Sequence, residues 1–265
     1  MIKEEIKIFF TAVMFYTRIP CPQWVDHSHD YLNKASRYLP LIGWILGVAT
    51  FLVLYFSLIV FPPEIAVILS MIAGILLTGA FHEDGFADVC DAFGGGYEKM
   101  RILDIMKDSR VGAYGLIGTT LILLLKFASL TALLTLTFAT LNPKIGVLLI
   151  LVSAHSISRL AAVSVVFNNA YVREDALSKS KPIAKKNTWK EILGATVFGL
   201  IPVAILACYQ YQILYALLPV LIARILLSRY FNKWIGGYTG DCLGATQQVS
   251  EIVFYLSVIA IWKFI

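Results

Sequence analysis

Acidic side chains are concentrated in residues 82–115, which hold seven of the 17 Asp and Glu residues of the chain. Three of them, Asp84, Asp88 and Asp91, recur at the spacing i, i+4, i+7. On an α-helix this spacing places the three carboxylates on one face, within roughly 60° of each other. Carboxylate oxygens are the ligands that hard divalent cations such as Mg²⁺ and Mn²⁺ prefer. The spacing therefore predicts a helix that presents a site for such a cation.

A second acidic pair, Asp104 and Asp108, repeats the i, i+4 spacing on a helix predicted for about residues 97–109. The glycines at 94–96 are expected to end the first helix before the second begins. Two helices joined by so short a turn can bring their acidic faces together. The candidate metal ligands are Asp84, Asp88, Asp91, Asp104 and Asp108.

Basic residues lie among these acids, at Arg101, Lys107 and Arg110. Carboxylates alone would suit a cation store or a transport path, whereas carboxylates with Arg and Lys favour a metal-bridged phosphate. Gly85 and the Gly94–Gly96 run would let a diphosphate approach the backbone closely. The alternative interpretation is a solvated amphipathic loop with internal salt bridges.

Residues 236–251 form another polar segment, GGYTGDCLGATQQVSE, directly before an apolar run. A glycine-rich loop that precedes a helix can bind phosphate or orient a polar ligand, although many such loops are plain turns. Asp241 lies among the glycines of this segment. His82, at the start of the acidic segment, is a candidate ligand or base, or a histidine that makes an ordinary hydrogen bond.

The composition indicates that these motifs belong to a membrane protein. The chain is 58% hydrophobic and 15% charged, and its mean hydropathy is +0.76, whereas about 25% of the residues in a soluble domain are charged. We therefore predict an all-α, polytopic integral membrane protein that forms a single domain over residues 1–265. A membrane-spanning helix needs about 20 apolar residues. Seven segments satisfy this condition: 38–60, 64–82, 112–139, 144–167, 190–208, 212–228 and 248–265.

The helices around the acidic segment have predictable connections. The helix that begins near Glu64 is expected to continue beyond the membrane surface to about Asp91. Proline-containing turns at 61–63 and 140–143 predict that the helices on either side form hairpins. At the N-terminus, apolar residues at helical spacing predict an amphipathic helix in the membrane interface, with a spanning helix as the alternative.

Lys and Arg are distributed unevenly over the predicted loops. If residues 1–37 are cytoplasmic, the cytoplasmic segments hold 17 of the 22 Lys and Arg residues and the opposite face holds two. Because cytoplasmic loops are enriched in Lys and Arg, this places the acidic segment, the basic loop 173–190 and residues 236–244 in the cytoplasm. Lys126, His155 and Arg159 fall inside spans, where they either face a polar cavity or form internal ion pairs.

Three motifs resemble those of the cobalamin synthase family, integral membrane enzymes of late vitamin B12 assembly. They are HEDGFADVCDAFGGG from residue 82, IMKDSRVGAYG from residue 105 and GGYTGDCLGA from residue 236. Two shorter motifs, TRIP at 17–20 and PLIG at 40–43, are similar to the same family. The resemblance covers nearly the whole chain, and it looks close to the enterobacterial members.

The resemblance implies an adenosylcobinamide-GDP ribazoletransferase activity. Such an enzyme transfers the cobinamide-phosphate moiety of adenosylcobinamide-GDP to the ribose 3′-hydroxyl of α-ribazole or its 5′-phosphate, and GMP leaves. The implied cofactor is Mg²⁺, and the implied setting is the bacterial inner membrane, with lipid and no nucleic acid as further partners. The expected catalytic residues are Asp84, Asp88, Asp91 and Asp108; the expected substrate contacts are Arg101, Lys107, Arg110, Gly94, Gly95 and Asp241.

Two other functions remain open. The first is a phospholipid-making phosphotransferase of the CDP-alcohol type, whose DGxxAR motif the chain resembles only distantly, because no Arg follows at that position. The second is a cation-coupled transporter that uses the acidic segment as its ion site. A transporter would be expected to place its acids near the bilayer midplane, often within inverted repeats, and no repeat is evident by eye.

Overall fold

A computed structural model describes residues 2–25, 28–135, 142–172 and 188–264. Those parts of the chain are almost entirely helical, and the β-type pairing within them is one isolated bridge between Tyr171 and Tyr238. The helices are α1 (Ile2–Tyr16), α2 (His29–Ala35), α3 (Leu39–Ser57), α4 (Pro63–Thr78), α5 (Phe81–Gly95), α6 (Lys99–Ile105), α7 (Ala113–Leu133), α8 (Pro143–Asn168), α9 (Trp189–Tyr209), α10 (Leu217–Ile235) and α11 (Gly240–Lys263). The all-α prediction is therefore confirmed.

Membrane-length helices account for most of the described chain. Six stretches are long and apolar enough to cross a bilayer, and α4 with α5 forms a seventh only if this bent pair is counted as one span. The six are Asp30–Ser57, which includes α2 and α3, then α7, α8, α9, Tyr211–Ile235 and α11. This agrees with the prediction of about seven spans and identifies the chain as an integral membrane protein.

The prediction of one helix from Glu64 to about Asp91 is wrong, because α4 ends at Thr78 and the backbone bends there. Gly79 and Ala80 both adopt the left-handed conformation, with φ of 68° and 58°, and α5 leaves α4 at an angle of 89°. The amide of Ala80 donates to the carbonyl of Ile75 at 2.9 Å, which closes the end of α4. Glycine is the residue that most often ends a helix in this way.

The predicted hairpins have different outcomes. The helices α3 and α4 pack against each other around the turn at 61–63, as expected. Part of the turn at 140–143 lies outside the described residues, and the helices beside it have other main neighbours: α7 packs chiefly on α5 and α11, whereas α8 packs on α3, α9 and α11. A short connection alone did not determine which helices pack together, because each helix packs through its own apolar and small-residue faces.

Glycines allow the central helices to approach closely. A methyl group on Gly47 of α3 would lie 2.5 Å from the Cα of Val152 on α8, and one on Gly43 would clash with the carbonyl of His155. Small residues of this kind let helix backbones pack tightly inside membranes. The helices α8 and α11 are the most enclosed of the spans, so the bundle is built around them.

The N-terminal helix α1 has 15 residues, fewer than the roughly 20 that a span needs. One side of it is buried through Ile8, Ala12, Val13 and Tyr16, while Ile6 is exposed. The helix therefore packs along the bundle with an apolar face, which matches the predicted amphipathic helix rather than the spanning alternative.

Candidate active site

The acidic helix α5 lies across the first turns of α7 and α11. Its contact with α11 is so close that a methyl group on Gly85 would lie 3.0 Å from the Cα of Asp241. A methyl group on Gly244 would likewise lie 3.0 Å from the carbonyl oxygen of His82. These two glycines bring the third motif of the sequence directly against the first, so Asp241 and the acids of α5 occupy the same end of the bundle.

Asp91 joins α5 to the start of α7. Its two carboxylate oxygens accept hydrogen bonds from the backbone amides of Gly112 at 2.7 Å and Gly115 at 2.8 Å. A methyl group on Gly112 would lie 2.5 Å from the Asp91 carboxylate, and one on Gly115 would clash with it. An anionic side chain at this position also interacts favourably with the helix dipole of α7. The glycines of the second motif thus allow Asp91 to cap α7.

The second acidic helix is shorter than the sequence predicted. It ends at Ile105, so Asp108 lies in the following turn and does not share a helical face with Asp104. Asp108 accepts hydrogen bonds from the backbone amide of Arg110 at 3.1 Å and from its guanidinium at 2.6 Å. A side chain that binds the backbone two residues ahead stabilises a turn and competes with the helix, which explains the early end of α6.

Arg110 also fixes the charge of Asp108. The hydrogen bonds from Arg110 lower the pKa of the Asp108 carboxyl to about 2. Asp108 is therefore anionic at every physiological pH. A carboxylate with so low a pKa is a weak general base and is better suited to bind a cation.

An open cleft of about 570 Å³ lies between α5, α6 and the start of α7. Its charged lining residues are Asp91, Asp104, Asp108, Arg101 and Arg110. Both signs of charge therefore face the same space, as the sequence predicted for a site that holds a phosphate. The exposed Gly95 lines the cleft as well.

Gly94 packs against an aromatic ring. The ring of Tyr114 lies on this glycine, and a methyl group there would approach the ring carbons at 2.5–2.9 Å. Tyr114 itself is 57% exposed and lines the cleft. An exposed aromatic ring seated beside cationic side chains offers a stacking surface for a base. Tyr114 was not predicted from the sequence, in which its only signal is an aromatic residue between Gly112 and Gly115.

The remaining predicted residues are not among those that line the cleft. Asp84 and Lys107 are exposed, whereas Asp88 and Asp241 are half-buried. Asp241 contacts the hydroxyl of Thr239 at 3.4 Å. His82 is buried, with 4% of its surface exposed, and it faces the bundle interior rather than the cleft. This burial disfavours the suggestion that His82 acts as the base.

The donor set fits a Mg²⁺ ion that is shared with a substrate. Within the described residues, no three His, Cys, Asp or Glu side chains are grouped so that they could hold a metal ion. Mg²⁺ in phosphoryl-transfer sites is usually held by one or two carboxylates together with substrate phosphates and water. Asp104 and Asp108, which line the same cleft, suit that mode of binding, in which the substrate would complete the shell.

The TRIP motif supports the break that orients α5. The backbone amide of Arg18 donates to the carbonyl of Leu77 at 2.8 Å, near the end of α4. The guanidinium of Arg18 covers Gly79, so a methyl group there would clash with it. The TRIP motif, in the N-terminal segment, therefore contacts the turn between α4 and α5 that sets the direction of the acidic helix.

A family model described as cobalamin-5-phosphate synthase matches residues 8–260. The chain belongs to the cobalamin-5-phosphate synthase family. A relative from Shewanella amazonensis is 45% identical over 98% of both chains, and one from Leptospira interrogans is 44% identical over 99% of this chain and 98% of its own. A third, from Ralstonia pickettii, is 42% identical over 98% and 97%. All three are named adenosylcobinamide-GDP ribazoletransferase. No solved structure matches the chain.

Membership of the cobalamin-5-phosphate synthase family agrees with the resemblance drawn from the motifs. The match includes the TRIP motif, the acidic helix, the turn after α6 and the loop before α11. These are the segments that the fold brings to one end of the bundle.

Proposed function

We propose that this protein is an adenosylcobinamide-GDP ribazoletransferase. It transfers the cobinamide-phosphate moiety of adenosylcobinamide-GDP to the ribose 3′-hydroxyl of α-ribazole or its 5′-phosphate, forms adenosylcobalamin or its 5′-phosphate, and releases GMP. The observation that carries the proposal is the cleft in which acidic and basic side chains converge, in a chain of this family.

Arg101 and Arg110 bind the diphosphate in this proposal. Both line the cleft, and a guanidinium matches two phosphate oxygens at once. Lys107, in the turn between Arg101 and Arg110, is exposed and adds a positive charge at the entrance of the cleft. These cations neutralise charge that grows on the phosphoryl oxygens and on the leaving GMP during transfer.

The carboxylates have separate tasks. Asp84, Asp88, Asp104 and Asp108 are the residues that would hold Mg²⁺, singly or in pairs and together with substrate phosphates and water, because no three such side chains of the described residues are grouped. When bound, the ion would neutralise charge on the diphosphate. Asp91 keeps α7 in place because its carboxylate accepts hydrogen bonds from two backbone amides. These hydrogen bonds occupy one lone pair on each oxygen. The proton of the attacking hydroxyl goes to a carboxylate that is not engaged by the metal. Asp108 is the poorest candidate because of its low pKa.

Recognition of the substrates involves two further residues. The exposed ring of Tyr114 offers a surface on which a substrate base stacks. Asp241, held against α5 through Gly85, contacts the nucleotide part of adenosylcobinamide-GDP. We also propose that the site faces the cytoplasm of a bacterial inner membrane, because the distribution of Lys and Arg favours that orientation and both α-ribazole and GMP are soluble there.

An assay with two donor–acceptor pairs tests the proposal. Purified protein in lipid nanodiscs receives adenosylcobinamide-GDP with α-ribazole, or CDP-diacylglycerol with a soluble alcohol, each with Mg²⁺. We expect GMP release that depends on α-ribazole, and no CMP release. CMP release without GMP release would favour the phospholipid-making alternative and contradict the proposal.

A further inference from the structure

A group of buried polar side chains lies inside the bundle, away from the cleft. Its centre is Glu251 of α11, of which 1% is exposed. The carboxylate of Glu251 accepts from the Lys126 ammonium at 2.6 Å, from the Gln247 amide at 2.6 Å and from the Tyr255 hydroxyl at 3.3 Å, and it lies 3.4 Å from Nδ1 of His155. Lys126 and His155 therefore meet at one carboxylate, and Arg159 joins them through its hydrogen bonds to His155. We call this group the Glu251 network.

The network reaches α5 through two glutamines. The amide nitrogen of Gln248 donates to Oε1 of Gln247 at 3.0 Å and to Oε1 of Glu83 at 3.0 Å. Glu83 directly precedes Asp84, the first acid of the proposed metal site. A continuous chain of hydrogen bonds thus connects the membrane interior with the helix that carries the acids.

Burial of these charges is costly. Lys126 and Arg159 are cations, Glu251 and Glu83 are anions, and the side chains of the first three are nearly inaccessible. Replacement of a buried ion pair by apolar residues is often neutral or stabilising in other proteins. Charges inside membrane spans are usually retained for function. The network therefore needs a role besides stability.

The orientation of α5 has to be set by contacts other than its connection to α4, and the network can provide one of them. The break at Gly79 and Ala80 separates α5 from α4 with a turn of 89°, so α4 does not extend a rigid helix to the acids. The position of α5 depends on its lateral contacts. At its far end these include the Asp91 cap, and near its start they include the bond between Glu83 and Gln248.

We propose that the Glu251 network is a positioning device for α5. It holds Glu83 through Gln248, and thereby fixes Asp84 and Asp88 against the first turn of α11, which carries Asp241. Gln248 and Glu83 are positioning residues and touch no substrate. Because the acids must be placed accurately for transfer, a small displacement of α5 lowers turnover strongly. The kinetic part of this proposal rests on the proposed function, whereas the positional part does not.

The test measures the position of α5 directly. Spin labels are attached at Tyr97, just beyond α5 and 79% exposed, and at Leu218 on α10, 62% exposed. The background lacks the native cysteines, and the protein is reconstituted in nanodiscs. We expect the Gln248→Leu variant to broaden the distribution of distances between the labels, and Glu83→Gln, which keeps an oxygen for the Gln248 amide, to retain the narrow distribution. An unchanged distribution in Gln248→Leu would overturn the proposal.

Kinetics and a matched control complete the test. Gln248→Leu should lower kcat by roughly 10- to 100-fold while KM for both substrates stays close to the wild-type value, because the substrate contacts are intact. Thr246→Val is the control, because this hydroxyl is equally buried on α11. Within the described residues it bonds only to the carbonyl of Cys242 in its own helix, so the variant should match wild type. A loss of kcat as large in Thr246→Val as in Gln248→Leu would contradict the positioning role.

Two further outcomes are distinguishable. If Gln248→Leu does not fold, Glu83→Met removes the same bond from a half-buried side chain and takes its place, with the same expected broadening. If the wild-type protein shows no turnover, that result contradicts the proposed function. The distances between the spin labels would still decide whether the network positions α5.

Discussion

Replacement of Asp91 separates a capping role from a metal-binding role more clearly than any other single change. Both carboxylate oxygens accept backbone amides at the start of α7. Hydrogen bonds to a charged group contribute roughly 1.5–3 kcal/mol each, and loss of a helix cap costs roughly 0.5–2 kcal/mol. The site is partly open to water, which weakens both bonds. We therefore expect Asp91→Ala to reduce the free energy of unfolding by about 2 kcal/mol.

This loss corresponds to a fall in Tm of roughly 4–8 °C, at about 2–4 °C per kcal/mol for chains of this size. Asp91→Asn keeps one acceptor oxygen but presents an amide donor to the other backbone N–H, so its Tm should lie between those of Asp91→Ala and wild type. The assay is intrinsic tryptophan fluorescence during heating of the purified protein in detergent. A residue that only bound metal would lose activity in both variants without a change in Tm.

Two glycines provide an independent check on Asp91. A methyl group on Gly115 would clash with the Asp91 carboxylate, whereas a methyl group on Gly240 would meet no atom within 4 Å. Gly115→Ala should therefore lower Tm about as much as Asp91→Ala does, and Gly240→Ala should leave it near wild type. Wild-type Tm in both Asp91→Ala and Gly115→Ala would refute the assignment of Asp91 as the cap of α7.

Three further predictions concern substrate binding and orientation. Arg110→Gln should raise KM for adenosylcobinamide-GDP about tenfold, the effect of roughly one lost charged contact, and should raise the pKa of Asp108 toward its ordinary value. Steady-state kinetics with varied adenosylcobinamide-GDP would detect the change in KM, and an unchanged KM would remove Arg110 from the site. Asp241→Ala should mainly raise KM for the same donor, whereas a change in kcat with a shifted Mg²⁺ dependence would indicate a metal ligand instead. A single cysteine at Tyr97, in a background without native cysteines, should react with a membrane-impermeant maleimide only from the cytoplasmic side, and labelling from the periplasm alone would overturn the orientation.

The periodicity of the sequence predicted the helices well, because long apolar runs leave few alternatives in a membrane protein. It did not predict the bend at Gly79, although a glycine after an apolar run was a visible signal for a helix end. The residue pattern alone favoured a continuous helix, since Asp84, Asp88 and Asp91 share one helical face. The bend itself also depends on Arg18, which lies far away in sequence.

The acidic segment was recognised from its residue types, but the roles within it required the fold. Spacing grouped Asp91 with the metal ligands and Asp104 with Asp108. The structure adds contacts that the spacing did not predict: Asp91 binds backbone amides of another helix, and Asp108 binds Arg110 in a turn. A single sequence does not reveal which distant backbone atoms a carboxylate will meet. The same limit applied to the charges inside the spans, whose convergence on Glu251 depends on three different helices.

The central claim is that the acids of α5, together with Asp108 in the turn after α6, support phosphoryl transfer with Mg²⁺. The most direct test measures GMP release by wild type and by Asp84→Asn, Asp88→Asn and Asp108→Asn over a range of Mg²⁺ concentrations. Asn preserves the shape of the side chain and removes its charge, so each variant should retain the wild-type Tm within a few degrees and lose at least about 100-fold in kcat, the size of effect expected when charge stabilisation at the transferring group is removed. Near-normal turnover at ordinary Mg²⁺ in any two of these variants would contradict the claim.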